Sequence, residues 1–337
     1  MGQVWQNMHA ESIRKVLLYV GEGGDRVKQK VINALGVNGI EVEKDPSGSY
    51  DVVVVVGTDG DLLEFLQEFP SSAPIFHVSP PGYTTFYASV EWEELGSGLS
   101  KISRGEYHLD PSTRLNVNLG SGEKVHALNE VAIFPSRSAT VMEYSLLIDD
   151  EVLWKDKADG AIVSTPAGST AYAFSAGGPM ILKGSRVFVV VPVNSLNPMR
   201  RSLVVPEDSD VVIQEISSSS PVEAVIDGVR RVKIRERIEI KKGEPVIMVK
   251  LTSKVGENIE RKIKLALDRQ DIPPSAKFVL KMLQIYGEAS PKDLLERTGL
   301  PERTVRHALS ILVRRGYVKK ITNPRNIQQK LYRISRS

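Results

Sequence analysis

The first hundred residues alternate short apolar runs with amphipathic segments. The runs Lys15–Val20 and Val52–Val56 are continuous and rich in β-branched residues, which is typical of strands buried on both faces of a parallel sheet. A third, shorter strand is predicted within Ile40–Asp45. Apolar residues recur at helical spacing in Arg26–Gly39 and Thr58–Pro70. This order of strands and helices predicts an open α/β sheet with helices on both of its faces.

The pattern changes after about Arg114, where short strand-like runs are separated by Gly, Pro, Ser and Asp, as in an all-β unit. A linker is predicted at Asp271–Ala276, followed by three amphipathic helices and a hairpin. The sequence therefore predicts an α/β domain at 1–120, an all-β domain at 121–268 and a small α+β domain at 269–337.

The composition narrows the classes of function. The 337 residues carry a net charge of +3, but Gln270–Ser337 alone holds 14 Lys and Arg against 5 Asp and Glu, a net of +9. A basic C-terminal piece on a mildly acidic body predicts that only the tail meets a polyanion. The absence of cysteine excludes disulfides and thiolate chemistry. No pair of the five dispersed histidines has the spacing of zinc ligands, which leaves only a site assembled from residues distant in sequence. Strand-length apolar runs and the lack of a signal pattern predict a cytoplasmic protein without membrane segments.

A glycine-aspartate loop, Gly57-Thr58-Asp59-Gly60, follows the buried run Val52–Val56. Ligands of open α/β sheets bind at the carboxyl ends of strands, and glycines there expose backbone N–H groups to phosphate oxygens at a helix N-terminus. Asp59 in such a loop is suited to accept a proton from a substrate hydroxyl. The alternative is that Asp59 caps the helix and the glycines only turn the chain.

A second segment, Ala158–Ile181, is dense in Gly, Ser, Thr and Pro around an apolar centre. It offers many backbone donors and hydroxyls with little side-chain volume, which suits a pocket wall against a flat polar ligand such as a nucleotide. The alternative is a long surface loop.

The two segments occur in an order that resembles the ATP-NAD kinase family. The residues that carry the resemblance are the loop at Gly57–Gly60, Asn129-Glu130, Asp159-Gly160, Ser164–Tyr172 (STPAGSTAY), Ser175–Pro179 and Asp227-Gly228. The resemblance spans about Lys15 to Lys264. It implies an α/β domain and an all-β domain with the active site in the cleft, and transfer of phosphate from ATP to the 2′-hydroxyl of the adenosine ribose of NAD.

The same resemblance implies the roles of individual residues. Asp59 matches the aspartate that activates the acceptor hydroxyl. The residues that match the nucleotide site are Gly57, Gly60, Asn129, Glu130, Asp159, Thr170, Ala171, Tyr172, Ser175 and Asp227. NAD and ATP are the expected partners, with Mg²⁺ or another divalent cation on the phosphates rather than in a protein cage. The family resemblance also predicts a homo-oligomer.

Two departures from the family pattern lie in the glycine-aspartate loop. Thr58 replaces a glycine, which is unfavourable where a turn needs positive φ, and Asp61 replaces a small polar residue and adds negative charge beside the phosphates. An alternative function is therefore an NAD(H)- or NADP(H)-sensing DNA-binding regulator whose kinase reaction is weakened. A third is a related kinase with a lipid or sugar-alcohol acceptor. The choices between NAD and NADH and between ATP and polyphosphate stay open.

The tail resembles a winged-helix DNA-binding domain. Its third helix would enter the major groove, and basic residues of the helix and hairpin would contact phosphates. The residues predicted to contact DNA are Arg303, Thr304, Arg306, His307, Lys319 and Lys320. The alternatives are a dimerisation module or a solvated basic face.

Overall fold

The computed structural model divides the chain into two compact units, residues 1–259 and residues 260–337. The residues that it describes are 11–21, 25–69, 73–81, 83, 85–120, 122–137, 140–251, 273–286, 288–298, 300–314, 317–323 and 326–334.

The first unit begins with a parallel sheet in the order β2-β1-β3-β4. Its strands are β1 (Lys15–Val20), β2 (Glu41–Glu43), β3 (Val52–Val56) and β4 (Ile75–Val78). The helices between and after them are α1 (Asp25–Val37), α2 (Asp59–Glu68) and α3 (Leu95–Ser103), the last preceded by a 3₁₀ turn at Trp92–Glu94. The predicted α/β start of the chain is confirmed.

Strand β3 shows why this part of the sheet is buried on both faces. Val52, Val54 and Val56 pack into a cluster with α1 and α3, whereas Val53 and Val55 pack against α2 on the other face. Every residue of β3 is buried, as expected for a continuous β-branched run with helices on both sides. The carboxyl end of β3 is thereby fixed, and the glycine-aspartate loop follows it directly.

The same sheet continues into the β-rich half of the unit. Six further strands complete ten: β5 (His108–Asn118), β6 (Lys124–Ala127), β8 (Met142–Ile148), β9 (Glu151–Ala158), β13 (Val211–Ser218) and β16 (Arg237–Lys250). Strand β16 pairs in parallel with β4 and antiparallel with β13 and β5. The predicted domain limits stay a prediction, and the sheet itself runs on across residue 120.

A second, six-stranded antiparallel sheet has the order β12-β11-β10-β7-β14-β15. Its strands are β7 (Glu130–Pro135), β10 (Gly160–Ser164), β11 (Val187–Val193), β12 (Leu203–Pro206), β14 (Val222–Ile226) and β15 (Arg230–Ile234). One apolar cluster joins residues of this sheet to residues of the first one. A 3₁₀ turn at Gly168–Thr170 and a short helix α4 (Tyr172–Ser175) follow β10. The predicted β-rich half is confirmed.

The second unit has its own small core. Its elements are α5 (Pro274–Tyr286), β17 (Glu288–Ala289), α6 (Pro291–Thr298), α7 (Glu302–Arg314), β18 (Val318–Asn323) and β19 (Asn326–Ile334). The strands form a sheet in the order β17-β19-β18. The three helices and the hairpin come in the predicted order. The first two residues of the predicted linker lie outside the described residues, and α5 begins within that linker at Pro274.

Candidate active site

The loop after β3 is closed by a reciprocal capping box. The N–H and the hydroxyl of Thr58 donate to the Asp61 carboxylate (2.6 and 2.7 Å), and the Asp61 N–H donates to Thr58 Oγ1 (3.3 Å). Thr58 has φ −73° and ψ 172°, an extended conformation that a β-branched residue adopts readily. The concern about a positive φ at Thr58 does not apply. Since Thr58 is the N-cap of α2, the alternative in which Asp59 caps the helix is wrong.

Asp59 is held by backbone donors from a different loop. Its carboxylate accepts hydrogen bonds from the N–H groups of Phe86 (2.8 Å) and Tyr87 (2.9 Å). Lys250 Nζ fixes the same segment by donating to the carbonyl oxygens of Tyr87 (2.7 Å) and Ala88 (2.8 Å). The half-buried carboxylate is therefore oriented by the loop after β4, and not by its own helix.

Tyr87 connects this loop to the second sheet. Its buried phenol donates a hydrogen bond to Oδ1 of Asn129. Burial raises the pKa of the Tyr87 phenol well above its ordinary value, so the group stays a neutral donor. Asp59 and Asn129 are thus joined through one residue, which the sequence analysis did not single out.

Asp227 fixes the backbone of the Asn129-Glu130 segment by hydrogen bonds. It lies at the end of β14 with φ 51°, and its carboxylate accepts from the N–H groups of Leu128 (2.9 Å), Asn129 (2.7 Å) and Glu130 (3.2 Å). Gln67 Nε2 adds a further contact at 3.3 Å. Burial raises the pKa of Asp227 to about 6 against the opposing effect of these bonds. The Asp227 carboxylate therefore binds and orients the backbone of residues 128–130.

Glu130 is a second buried acid beside it. Burial first, and then the charge of Asp227, raise the pKa of Glu130 to about 8, while a hydrogen bond from the Tyr172 backbone opposes the shift. Among the described residues no group bonds to Glu130 Oε2. Near neutral pH the carboxyl is therefore largely protonated and is a hydrogen-bond donor.

The STPAGSTAY segment packs directly on the same backbone. The Thr165 N–H donates to the Asn129 carbonyl (2.9 Å), and its hydroxyl donates to the Leu128 carbonyl (2.6 Å). Gly168 lies so close that a Cβ there would be 2.2 Å from the Asn129 carbonyl oxygen. The segment is a wall built against the Asn129-Glu130 motif, which rules out the alternative of a loose surface loop.

The remaining predicted residues fall around this centre. Tyr172 is exposed and its ring centroid lies 5.8 Å from that of Phe134. Asp159 accepts from Asn194 Nδ2 at 2.8 Å, on the loop after β11. The other predicted nucleotide residues differ in exposure: Gly57 is buried, Gly60 and Ser175 are exposed, and Thr170 and Ala171 are half-buried. Hydrogen bonds connect Asp59, Asn129, Glu130 and Asp227. Tyr172 relates Asp159 to this centre, because the charges of Glu130 and Asp159 both raise the pKa of its phenol after burial.

Sequence reasoning missed Tyr87 and Gln67, which bond to the predicted residues Asn129 and Asp227. Thr165 and Gly168 belong to the STPAGSTAY motif but were given no role of their own, and they support the site by a hydrogen bond and by close approach. An aromatic in the polar stretch after β4 was the only sequence signal for Tyr87.

Among the described residues, no helix has the length and apolar character that a membrane crossing requires.

An oriented carboxylate after a buried parallel strand, linked through Tyr87 to a segment packed by small residues, fits a nucleotide-binding phosphotransferase. Residues 128–249 match the family described as ATP-NAD kinase C-terminal domain. The NAD kinase of Methanosarcina barkeri is 31% identical over 235 residues, which are 68% of this chain and 84% of that protein. The NAD kinase of Corynebacterium diphtheriae is 32% identical over 73% of this chain and 75% of its own length.

Solved structures of an NAD kinase and an NADH kinase share the fold of this chain. An NAD kinase from Archaeoglobus fulgidus in complex with ATP superposes with a TM-score of 0.64 at 25% identity, covering 75% of this chain and 99% of that one. A yeast NADH kinase complexed with NADH shares the fold, with a TM-score of 0.65 at 20% identity over 75% of this chain and 87% of that one. The chain belongs to the NAD kinase family. Its activity is that of an ATP-dependent NAD kinase, and the resemblance drawn from the motifs is confirmed.

Gly168→Ala tests the close approach of the wall to Asn129. The added methyl group must displace the Asn129 backbone, so we expect a loss of about 1–3 kcal/mol of unfolding free energy and a higher KM for NAD. Urea unfolding and steady-state kinetics measure the two effects. Gly96→Ala is the matched control, because nothing lies within 4 Å of a Cβ at that helical position. Equal behaviour of the two variants would contradict the packing role.

Stability should fall as pH rises because of Glu130. The folded state keeps the Glu130 proton up to about pH 8, whereas the unfolded state loses it near 4.5. Unfolding free energy is therefore lost between these values, by at most about 1.4 kcal/mol per pH unit. Glu130→Gln, which cannot titrate, is expected to flatten the decline between pH 6 and 8 in urea unfolding. Parallel curves for the two proteins would disprove the buried, protonated carboxyl.

Proposed function

We propose that the chain transfers the γ-phosphate of ATP to the 2′-hydroxyl of the adenosine ribose of NAD, with Asp59 as the general base. The observation that supports this most strongly is the path from Asp59 through Tyr87 to Asn129. It joins the carboxylate at the phosphate loop to the segment that matches the dinucleotide motif. The dinucleotide lies against Asn129, Glu130 and the wall around Gly168.

The chemistry needs an oriented base. A ribose hydroxyl is a poor nucleophile at neutral pH, and a positioned carboxylate that takes its proton is the usual solution. Each oxygen of Asp59 accepts one backbone N–H and keeps a lone pair for the hydroxyl. As the bond from O2′ to the γ-phosphorus forms, the bond to the β–γ bridging oxygen breaks and ADP leaves. The proton passes to Asp59 and then to solvent.

The buried acid Glu130 serves the acceptor in a different way. Because its pKa is about 8, it is a hydrogen-bond donor at neutral pH, and it offers this donor to a hydroxyl of the dinucleotide. The Asn129 amide gives a second donor, since its Oδ1 is already used by Tyr87. The two side chains bind and orient the sugar while Asp59 takes the proton.

A divalent cation would bind together with the ATP phosphates at the glycine-aspartate loop. Mg²⁺ is usually bound through one or two carboxylates together with the phosphates of its substrate, so the phosphates would carry most of its ligands. The Asp61 carboxylate, two residues after Asp59, is the side chain that would supply a ligand. When bound, the cation neutralises phosphate charge and offsets that of Asp61.

Asp59→Asn is expected to remove the base and keep the binding surface. We expect kcat to fall about 10²- to 10⁴-fold, with the Kd for NAD changed little. NADP formation from ATP and NAD measures the first, and calorimetry the second. Asp51→Asn is the matched control, because that carboxylate likewise accepts two backbone N–H groups, from Arg14 (2.8 Å) and Lys15 (2.9 Å). Unimpaired turnover in Asp59→Asn would overturn the proposal.

We infer a second function, binding of duplex DNA by the C-terminal unit as a winged helix. The order of its three helices and three strands supports this inference, with α7 as the recognition helix and β18 and β19 as the wing. One face of α7 is buried at Val305, Leu309 and Leu312. The predicted contact residues on its other face are exposed except Thr304, which is half-buried.

The charges of this surface suit a phosphate backbone. Lys319 and Lys320 are exposed on β18, and Arg303 is exposed on α7. Arg306 pairs with Glu302 one turn earlier (2.7 Å), so part of its charge is already matched. The homo-oligomer and the cytoplasmic location expected from the sequence stay predictions.

Replacing Lys319 and Lys320 by alanine should weaken duplex binding by the full chain. Each phosphate contact that is lost is expected to lower the slope of log affinity against log salt by about 1. Fluorescence anisotropy with a labelled duplex at several salt concentrations measures the slope. Lys292→Ala, an exposed lysine on α6, is the control. Absence of binding at low salt, or an equal effect of the control, would refute the inference.

A further inference from the structure

His77 is a fully buried imidazole beside the glycine-aspartate loop. It lies on β4, in which every residue is buried, and it is 0% exposed. Its Nε2 atom lies 2.9 Å from the carbonyl oxygen of Gly57. Because a carbonyl oxygen can only accept a hydrogen bond, Nε2 carries the proton. The ring is therefore a hydrogen-bond donor to the first residue of the glycine-aspartate loop.

Stability alone does not explain an imidazole at this position. Among the described residues no group bonds to the other ring nitrogen, Nδ1, and a buried polar atom without a partner lowers the stability of a protein. Burial lowers the pKa of His77, while the charge of Asp59 opposes the shift, so the ring is neutral at neutral pH. An apolar side chain of similar size would avoid the unmet nitrogen. The bond from Nε2 to Gly57 is therefore the contribution for which a histidine is needed here.

The peptide between Gly57 and Thr58 is held at both of its polar groups. Its carbonyl accepts the hydrogen bond from His77, and its N–H, which is that of Thr58, donates to the Asp61 carboxylate at 2.6 Å. Asp59 is the next residue of the chain and the first of α2. The peptide that leads into this helix is thus fixed from one side by the His77 ring, and with it the point at which the Asp59 side chain leaves the backbone.

The main chain of His77 holds the second loop, which orients the Asp59 carboxylate. The N–H of Ser89 donates to the His77 carbonyl (2.6 Å), and the His77 N–H donates to Ser89 Oγ (3.1 Å). The N–H groups of Phe86 and Tyr87, which bond the Asp59 carboxylate, come just before Ser89 in the chain. One residue of β4 therefore fixes the loop that carries the carboxylate through its side chain, and the loop that orients the carboxylate through its backbone.

We propose that His77 is a positioning residue for phosphoryl transfer, which holds the Asp59 carboxylate in the orientation that receives the ribose proton. The proposal rests on the proposed role of Asp59 as general base. Because the ring is buried, it acts through Gly57 and not by contact with a substrate. The charged groups that act on the ring are Asp59 on α2 and Lys250 on β16. A displacement of about 1 Å in a catalytic group can lower a rate about 10²-fold, so a single buried bond of this kind matters for turnover.

Two variants of similar shape separate the hydrogen bond from the packing. His77→Gln supplies an amide N–H near the position of Nε2, whereas His77→Met has the same length and no donor. We expect His77→Met to lower kcat about tenfold or more and to leave the KM values for ATP and NAD within about twofold, and His77→Gln to keep most of kcat. Steady-state NADP formation measures all three constants.

His126→Met is the matched control for this pair of variants. The half-buried His126 ring likewise has an Nδ1 atom without a partner among the described residues, so the same replacement there should leave kcat within about twofold of the native chain. An equal kcat in His77→Gln and His77→Met, or an equal loss in His126→Met, would overturn the proposal.

Combination with Asp59→Asn tests whether His77 acts through the base. If His77 positions Asp59, then His77→Met should leave the residual rate of Asp59→Asn unchanged within about twofold, because the group that His77 positions has already been removed. A further loss of about tenfold in the double variant would contradict the proposal, since His77 would then act on the reaction by another route.

Nitrogen-15 NMR of the full chain with labelled histidine needs no turnover, and it uses a folded native protein even if His77→Met does not fold. The His77 signals, identified by their absence in His77→Gln, should show a protonated Nε2 and an unprotonated Nδ1 at about pH 8. Asp59→Asn should shift these signals by removing the neighbouring charge, whereas Asp51→Asn should not.

The NMR outcomes separate failure of this proposal from failure of the kinase proposal. An Nδ1–H tautomer, or an equal response to Asp59→Asn and Asp51→Asn, would overturn the role of His77. The expected signals in a chain that forms no NADP would count against the kinase proposal alone, because the bond of His77 to the loop that carries Asp59 would stand.

Discussion

The candidate site depends on one buried interaction, that of the Asp227 carboxylate with three consecutive backbone N–H groups. Strand β7 lies between β14 and β10 in its sheet. Asp227, which follows β14, and Thr165, which follows β10, both hydrogen-bond to the backbone at the start of β7. Without Asp227 the N–H groups of Leu128, Asn129 and Glu130 would lose their side-chain acceptor inside the protein, at about 1–3 kcal/mol for each that found no other partner. The contacts of Tyr87 and Thr165 with residues 128 and 129 depend on this fixed backbone.

The same burial sets the electrostatics of the site. Two neighbouring buried acids cannot both be ionised without a large cost in free energy, and here the two carboxyl groups have different pKa values. Asp227 receives the backbone donors and has the lower pKa, whereas Glu130 has the higher pKa and one oxygen to which no group bonds in the part of the chain that the structure describes. One acid therefore maintains the structure, while the other is left as a neutral donor. Asp59, half-buried and bonded to a separate loop, is kept apart from this pair and suited to accept a proton.

Much of the fold and of the site was predictable because it lies in local sequence patterns. The run Val52–Val56 indicated a doubly buried strand, and the order of the motifs around Asp59 and Ser164–Tyr172 indicated the family. The supporting contacts were not predictable, since Tyr87 and Gln67 reach their partners across 42 and 160 residues of sequence. The pairing of β16 with β4, which carries the first sheet into the β-rich half, is a similarly distant contact that periodicity does not reveal.

The two departures from the family loop are physically a single change. Thr58 and Asp61 form three hydrogen bonds with each other through side-chain and backbone donors, and a cap of this kind is typically worth about 1 kcal/mol to a helix. The Asp61 side chain in turn needs glycine at both Gly21 and Gly57, where a Cβ would lie within 2.3 and 2.6 Å of its atoms. A glycine at position 58 would leave Asp61 without the hydroxyl that it binds. The loop therefore keeps the glycine-aspartate geometry around Asp59 by an internal cap, and the altered residues are compatible with phosphoryl transfer.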